Sequence, residues 1–225
     1  MDKQRRVLLK LSGEALAGEK KTGFDEETVR AVAAQVKKSV EEGVQVAIVI
    51  GGGNFWRGRS SKAIDRVKAD QIGMLATVMN CIYVSSLFTY LGMETEVFSA
   101  FTIGGVTRLF SKDEADAALN AGKVVFFAGG TGHPYFSTDT GVVLRAIEME
   151  ADEILLAKAI DGVYDSDPKK NPDAVRFDTL SYLDVLNRDL KVMDSTAATL
   201  CKDNEIPILV FNLEDPENIV RAVRG

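Results

Sequence analysis

The sequence contains few of the residues from which disulfide frameworks and metal centres are built. It has two cysteines, Cys81 and Cys201, one histidine, His133, and five prolines in 225 residues. The cysteines lie far apart, and neither belongs to a pair with metal-ligand spacing. These shortages exclude a disulfide-stabilised domain and a zinc module. We therefore predict that both cysteines are reduced, buried thiols.

Positive charge and long apolar runs are also in short supply. The chain has 27 Lys and Arg against 33 Asp and Glu, a formal net charge of −6, and a pI near 5.0. Nucleic-acid and acidic-membrane binders need clustered positive charge, so the composition argues against both classes. We expect no apolar run to reach the roughly 20 residues of a membrane span, and the charged start precedes too short an apolar stretch for a signal peptide. We expect a cytoplasmic protein with neither membrane nor nucleic-acid partners.

The sequence does contain a regular alternation of strand-like and helix-like patterns. Its hydrophobic content of 46% and charged content of 27% are typical of globular domains. The pattern predicts six strands, at 7–11, 44–50, 95–98, 124–128, 154–157 and 208–211. It also predicts helices that begin after Asp25, after a capping box of Ser111 and Glu114, and at Pro216, and further helices over 70–91, over 140–150, near Leu183 and near Ala197. Because parallel strands need crossover connections, this order predicts a single α/β domain over 1–225, with a central, mainly parallel sheet between helices.

Three of the predicted strands end in glycine-rich turns with many backbone donors. The turns are Lys10-Leu11-Ser12-Gly13, Gly51-Gly52-Gly53-Asn54 and Gly129-Gly130-Thr131-Gly132. Glycine lets backbone N–H groups approach a phosphate closely, and the N-terminus of the following helix adds positive potential. One such sequence is more often just a turn. Three of them at the same end of one sheet predict a site for two phosphorylated ligands.

Two cations adjoin these turns. Lys10 ends an apolar strand, where a lysine is costly unless its ammonium reaches a charge partner such as a phosphate; the alternative is a solvated strand-end lysine. Arg57 follows the second turn, and a guanidinium suits oxygens that gain charge during phosphoryl transfer; the alternative is a surface loop arginine. Neither a P-loop motif nor the protein-kinase motifs occur, so the sequence predicts a phosphotransferase of another type.

Four longer segments carry a resemblance to a known family. They are Lys10-Leu11-Ser12-Gly13-Glu14-Ala15-Leu16, Ile50-Gly51-Gly52-Gly53-Asn54 followed by Arg57-Gly58, residues 73–80, and Asp161-Gly162-Val163-Tyr164 with Asp167-Pro168. These segments resemble the bacterial UMP kinases of the amino acid kinase superfamily, and the resemblance continues through 191–194 and 206–208. It implies a three-layer fold and transfer of the γ-phosphoryl group of MgATP to UMP, giving UDP and ADP, in pyrimidine nucleotide biosynthesis.

The resemblance also implies where the ligands bind. It places the acceptor on the N-terminal half of the domain and ATP on the C-terminal half. The implied UMP site consists of Gly52, Asp70, which would accept hydrogen bonds from the ribose hydroxyls, and Thr131, Gly132, His133, Pro134, Tyr135, Phe136, Ser137 and Thr138. The implied ATP site consists of Lys10, Leu11, Ser12, Gly13, Gly53, Arg57, Lys158, Tyr164 and Asp167.

The implied catalytic group is small. It consists of Lys10, Arg57, Asp139 and Asp194, in which the cations neutralise phosphate charge and the carboxylates orient a lysine or hold a Mg²⁺-bound water. Mg²⁺ is expected with ATP, without a set of protein ligands of its own. We do not expect His133 to be a general base, because transfer to a phosphate oxygen needs little base assistance.

Several alternatives stay open from the sequence. Without the resemblance, Asp70 would be interpreted as a residue of a helix N-terminus, and Asp161 is expected to form a turn. The resemblance implies a homohexamer with GTP as a possible activator, contacting 18–25, and UTP as a possible inhibitor. The apolar helix at 72–91 is either a subunit contact or a core helix. Rival functions are a related kinase acting on acetylglutamate, aspartate or carbamate, and a non-catalytic uridine-nucleotide sensor.

Overall fold

Strands and helices alternate along the chain in a computed structural model that describes residues 4–56 and 63–225. Within those residues the strands are β1 (Arg6–Leu11), β2 (Gln45–Ile50), β3 (Thr95–Ser99), β4 (Arg108–Leu109), β5 (Val124–Ala128), β6 (Glu153–Lys158), β7 (Val163–Tyr164), β8 (Arg176–Phe177) and β9 (Ile208–Asn212). The α-helices are α1 (Gly13–Leu16), α2 (Glu26–Glu41), α3 (Arg66–Tyr90), α4 (Lys112–Asn120), α5 (Thr138–Glu148), α6 (Tyr182–Asn187), α7 (Ser195–Asp203) and α8 (Asn218–Arg224).

Seven of these strands form one sheet in the order β4-β3-β5-β2-β1-β6-β9, and every pairing within it is parallel. Strands β2 and β5 are buried at every residue, as expected when helices cover both faces of a parallel sheet. Strands β7 and β8 form a separate antiparallel pair. The predicted fold class, a central and mainly parallel sheet flanked by helices, is confirmed.

Two hydrophobic cores lie on opposite faces of the sheet. Successive residues of a strand point to opposite faces, so Leu9 packs with α2, α3 and α8 in one core, and Leu8 packs with α4, α5 and α7 in the other. Cys81 belongs to the first core and Cys201 to the second, and both are free thiols. The prediction of two reduced, buried cysteines is confirmed.

Helix α3 is longer than the sequence pattern predicts. It begins at Arg66 because Asp65 caps it, accepting hydrogen bonds from the backbone N–H groups of Val67 and Lys68. By length and composition this 25-residue helix could cross a membrane, with a mean hydropathy of 1.5 in its most apolar window. The expectation that no run is long enough was therefore wrong. Half of that window is buried inside the domain, and a core helix has the same composition.

The carboxyl ends of β1, β2, β5 and β6 lie at the same edge of the sheet, because the strands are neighbours and parallel. All three predicted glycine-rich turns therefore meet there. In the turn after β5, Gly129, Gly130 and Gly132 have φ angles of 80°, 59° and 79°, a region that side chains rarely adopt. This edge of the sheet is where ligand binding is expected in open α/β folds.

Candidate active site

The first two glycine-rich turns pack directly against each other. A Cβ atom on Gly13 would lie 2.3 Å from the carbonyl oxygen of Gly51 and 2.4 Å from Asn54 Oδ1, so only glycine fits there. The side chain of Asn80, on α3, donates to Gly51 O at 2.7 Å and to Asn54 Oδ1 at 2.8 Å. Asn54 and Asn80 are both buried, which fixes the two turns to each other and to α3.

Helix α3 also holds the third turn. The backbone N–H of Gly129 donates to Thr77 Oγ1 at 2.8 Å, and that hydroxyl donates to Met74 O at 2.7 Å. On the same helix, the carbonyl oxygen of Gly73 would lie 2.9 Å from a Cβ atom on Gly52. Helix α3 therefore sets the spacing of two strand-end turns.

Charged side chains converge between the turns. Lys10 Nζ lies 3.2 Å from Asp139 Oδ1 in an ion pair whose side chains are 15% and 23% exposed. Asp139 Oδ1 is buried and accepts no hydrogen bond of good geometry from the described residues, so the ion pair is what compensates its charge. Sequence reasoning proposed both residues for the catalytic group, and the structure brings them into contact.

A second lysine faces the same centre. Lys158 Nζ donates to the carbonyl oxygens of Val192 and of Lys191, the latter at 3.3 Å. Burial lowers the pKa of Lys158, the charge of Lys10 lowers it further, and the charge of Asp139 opposes both effects. The charges of both central residues therefore act on this ammonium, which the resemblance placed along the ATP nucleoside.

Asp194 links the N-termini of α5 and α7. Its carboxylate caps α7 by accepting from Ala197 N at 3.0 Å, and it accepts from Ser137 Oγ and, at 3.4 Å, from Thr140 Oγ1. Ser137 is itself the N-cap of α5, with its hydroxyl accepting from Thr140 N. Asp194 is therefore hydrogen-bonded to Ser137, in the 131–138 segment.

A first cavity of about 320 Å³ opens between the three turns. Of the residues predicted for the acceptor, Gly52, Asp70, Thr131, His133, Phe136, Ser137 and Thr138 line it, together with Lys10, Gly53 and Asp139. Gly132, Pro134 and Tyr135 belong to the same segment without lining the cavity. Sequence reasoning missed five further lining residues that carry side chains: Trp56, Arg66, Ala69, Met74 and Thr77. Four of these five lie on α3, whose apolar pattern resembles that of any core helix.

A second cavity of about 300 Å³ lies beside β6 and the β7–β8 pair. The three residues predicted along the ATP nucleoside, Lys158, Tyr164 and Asp167, all line it, with apolar residues that sequence reasoning missed: Ile160, Val163, Pro168, Leu190, Val192 and Val210. Asp161 accepts a hydrogen bond from the Tyr164 hydroxyl at 2.7 Å and pairs with Arg176 at 3.2 Å, which fits the turn-forming role expected of it.

The remaining predicted ATP residues divide into three cases. Gly13 and Gly53 lie in the interlocked turns, where Gly53 packs against the side chain of Glu14. The Leu11 side chain is fully buried in the core, so only its backbone is near the turns, and Ser12 occupies the N-cap position of α1. Arg57 lies outside the described residues.

Lys10 lines the first cavity and Lys158 the second, and comparison with known proteins places the chain in a family. Residues 5–212 match the Amino acid kinase family. The chain belongs to that family, as its motifs predicted.

Solved structures of individual kinases are similar to the chain over nearly its whole length. The UMP kinase from Bacillus anthracis has a TM-score of 0.94 and 39% identity, covering 98% of this chain and 92% of that one. The UMP kinase from Ureaplasma parvum has a TM-score of 0.94 and 37% identity, covering 99% and 95%. The uridylate kinase from Archaeoglobus fulgidus has a TM-score of 0.75 and 29% identity, covering 97% and 95%.

Proposed function

We propose that this protein is a UMP kinase that transfers the γ-phosphoryl group of ATP to UMP, giving UDP and ADP. The observation that carries the proposal is the arrangement of two cavities at one edge of the sheet, with Lys10 between glycine-rich turns and paired with Asp139. The two bacterial kinases named for UMP share this fold at 37% to 39% identity. The family makes the chain a phosphotransferase.

The positions of the cavities support an assignment of one ligand to each. The first cavity is built from residues between Lys10 and Asp139, and the second from residues between Lys158 and Val210. We assign UMP to the first, where Asp70 provides a carboxylate for ribose hydroxyls. We assign the ATP nucleoside to the second, whose apolar lining suits an adenine ring. The acceptor thus lies on the N-terminal half and ATP on the C-terminal half.

Catalysis by these residues rests on alignment and charge neutralisation, with no nucleophile required of the protein. The Lys10 ammonium neutralises charge on the transferring group, and Asp139 holds it in place through the 3.2 Å ion pair. We propose that backbone N–H groups of the turns after β1 and β2 bind the same phosphates. Lys158 adds a second positive charge there. From its position in the sequence, we propose that Arg57 also neutralises charge on the transferring group.

Mg²⁺ is proposed to enter with ATP. The described ranges, 4–56 and 63–225, hold no group of three or more His, Cys, Asp or Glu side chains arranged to bind a metal ion. The buried Oδ1 of Asp139, which lacks a well-formed hydrogen bond from those residues, fits a water on a phosphate-bound metal. When bound, the metal neutralises charge on the β- and γ-phosphate oxygens.

The proposal also covers the assembly of the protein, its regulation by nucleotides and its location in the cell. Ile72, Leu75 and Met79 on α3 are 38%, 50% and 47% exposed and form an apolar stripe at helical spacing, which supports self-association to the homohexamer typical of the family. We propose GTP as an activator acting through residues 18–25, because Gly23 N and Thr22 Oγ1 both donate to Asn54 O, next to the second turn. UTP inhibition, a cytoplasmic location and a role in pyrimidine biosynthesis complete the proposal.

A coupled ADP-release assay tests the reaction directly. UMP, CMP, dUMP, aspartate and acetylglutamate are offered with MgATP to the wild type, Lys10→Ala and Lys123→Ala. Lys123 is a matched control, because it pairs with Glu96 at 3.3 Å away from both cavities. We expect turnover mainly with UMP, a loss of at least about 100-fold in kcat for Lys10→Ala, and little change for Lys123→Ala. A preference for an amino-acid acceptor would refute the substrate assignment.

The sensor alternative gives a different result in the same set of proteins. A uridine-nucleotide sensor would bind UMP without turning it over, and Lys10→Ala would leave that affinity nearly intact. The single tryptophan, Trp56, lines the acceptor cavity, so its fluorescence reports UMP binding independently of activity.

A further inference from the structure

We propose that Arg66 is a positioning residue of the acceptor site, which holds Asp70 and Tyr135 in the geometry that recognises ribose hydroxyls. The proposal rests on the function proposed above, because it concerns the acceptor of that reaction. Arg66 lies in the first turn of α3 and lines the first cavity. It belongs to none of the motifs that identified the site.

The carboxylate of Asp70 is held by two partners from different parts of the chain. Arg66 Nε donates to Oδ1 at 2.9 Å and to Oδ2 at 2.8 Å, and the backbone N–H of Tyr135 donates to Oδ2 at 2.7 Å. A carboxylate offers about four acceptor positions. Among the contacts of the described residues, Oδ2 accepts two donors and Oδ1 accepts one. A position on Oδ1 is therefore left for a ligand hydroxyl in the cavity.

Tyr135 is held in an unfavourable backbone conformation. Its φ angle is 73°, in the left-handed region that bulky residues rarely adopt, and such strain persists only where surrounding contacts impose it. Two contacts do so here: the hydrogen bond from its N–H to Asp70, and the guanidinium of Arg66, which lies 5.0 Å from the centre of its ring. Arg66 therefore contacts both the helix and the 131–138 segment on either side of the cavity.

Arg30 shows the same chemistry outside the two cavities described above. It pairs with Glu26 at 2.7 Å across one helical turn, lies 5.2 Å from the ring centre of Tyr90, and has a side chain that is 39% exposed, against 38% for Arg66. Exposed pairs of this kind contribute little to stability on average. What distinguishes Arg66 is its acidic partner, which lines a cavity. Arg30→Met is accordingly a matched control for Arg66→Met.

The experiment compares binding of UMP with binding of 2′,3′-dideoxyUMP, which lacks both ribose hydroxyls. Dissociation constants are measured from Trp56 fluorescence for the wild type, Arg66→Met, Arg66→Lys and Arg30→Met. For Arg66→Met we expect the Kd of UMP to rise about tenfold and that of the dideoxy analogue less than about twofold, because a charge-assisted hydrogen bond to the sugar is lost. For Arg66→Lys, the Kd of UMP should lie between the values for the wild type and Arg66→Met, since lysine keeps the positive charge but lacks the planar guanidinium.

Steady-state kinetics give a second readout. For Arg66→Met we expect the KM of UMP to rise about tenfold, with kcat and the KM of ATP changed less than about threefold. If Arg66→Met lost affinity equally for UMP and 2′,3′-dideoxyUMP, or for neither of them, the positioning role would be overturned. Wild-type binding of UMP without turnover would refute the kinase reaction, while the ratio of the two dissociation constants would still decide the role of Arg66.

Discussion

Replacing Gly13 by alanine tests the interlocked turns that hold the site together. The new methyl group would lie 2.3 Å from Gly51 O and 2.4 Å from Asn54 Oδ1, about 1 Å closer than ordinary van der Waals contact. Neither neighbour can move freely, because Asn80 donates to both of them. The turn after β1 must therefore shift away from the turn after β2.

The expected magnitude follows from that shift. Overpacking of this kind costs about 1 to 3 kcal/mol of unfolding free energy, or a fall in Tm of roughly 4 to 8 °C for a cost of about 2 kcal/mol in a chain of this size. A displacement of about 1 Å at reacting groups lowers the rate about 100-fold. We therefore expect Gly13→Ala to lose far more activity than its stability alone would explain.

The assay pairs thermal unfolding with kcat/KM for UMP, and Gly51→Ala is the steric control. Among the described residues, a methyl group on Gly51 meets nothing closer than 3.8 Å, so the Tm of Gly51→Ala should be equal to or slightly above that of the wild type, because alanine restricts the unfolded chain. If Gly13→Ala matched Gly51→Ala in both measurements, the close packing of the two turns would not be what positions the site.

Three further predictions concern buried or half-buried polar groups. Thr77→Val removes the acceptor of the buried Gly129 N–H and should lower the free energy of unfolding, measured in urea, by about 1 to 3 kcal/mol. Thr77→Ser keeps the hydroxyl and should retain most of the wild-type stability. Equal losses in the two variants would contradict this prediction. Burial lowers the pKa of Lys158 below 10.5 in the folded state, so at pH values approaching 10.5 the unfolded state binds more protons at this lysine than the folded state does. The free energy of unfolding of the wild type should therefore rise relative to that of Lys158→Met between pH 7 and 10. A constant difference between the two proteins would refute this prediction. Burial raises the pKa of Cys81 to about 12 and that of Cys201 to about 11, so at pH 8 a thiol reagent should label the native protein at least about 100-fold more slowly than the unfolded chain; rapid native labelling would argue against burial.

Long, strongly patterned elements were predictable from the sequence. Strand β5 has the bounds 124–128 that its five apolar residues predicted, and Asp25 caps α2 as expected by accepting from Thr28 N. The two-residue strands β4, β7 and β8 were missed, because two residues carry no periodicity. Ser111 occupies the N-cap position of α4, but its side chain makes no capping hydrogen bond. Glu114 pairs instead with Arg108 at 2.9 Å, a tertiary contact that no local pattern contains.

The candidate site also contains some features that the local sequence predicts and others that depend on tertiary contacts. The strand-end turns and Lys10 were predictable, because glycine after a buried strand and a lysine at its end have local physical meaning. The contact of Lys10 with Asp139 depends on how β1 meets the start of α5, and only the resemblance pointed to it. Arg66 resembles a solvated charge at a helix start. The available signal was its spacing of four residues from Asp70, which is also the spacing of ordinary surface pairs.

The central position of β1 has a consequence for synthesis on the ribosome. The strand is made first, yet it pairs on one side with β2 and on the other with β6, whose Glu153 is the partner of Val7. At about 5 to 20 residues per second, that second edge waits roughly 7 to 30 s for its partner to be translated. During that interval β1 presents an apolar strand with an open edge, which is a template for pairing with another chain. Nascent chains that stop before β6 should therefore depend most on chaperones, and a pause placed after β6 would be tolerated better than one placed before it.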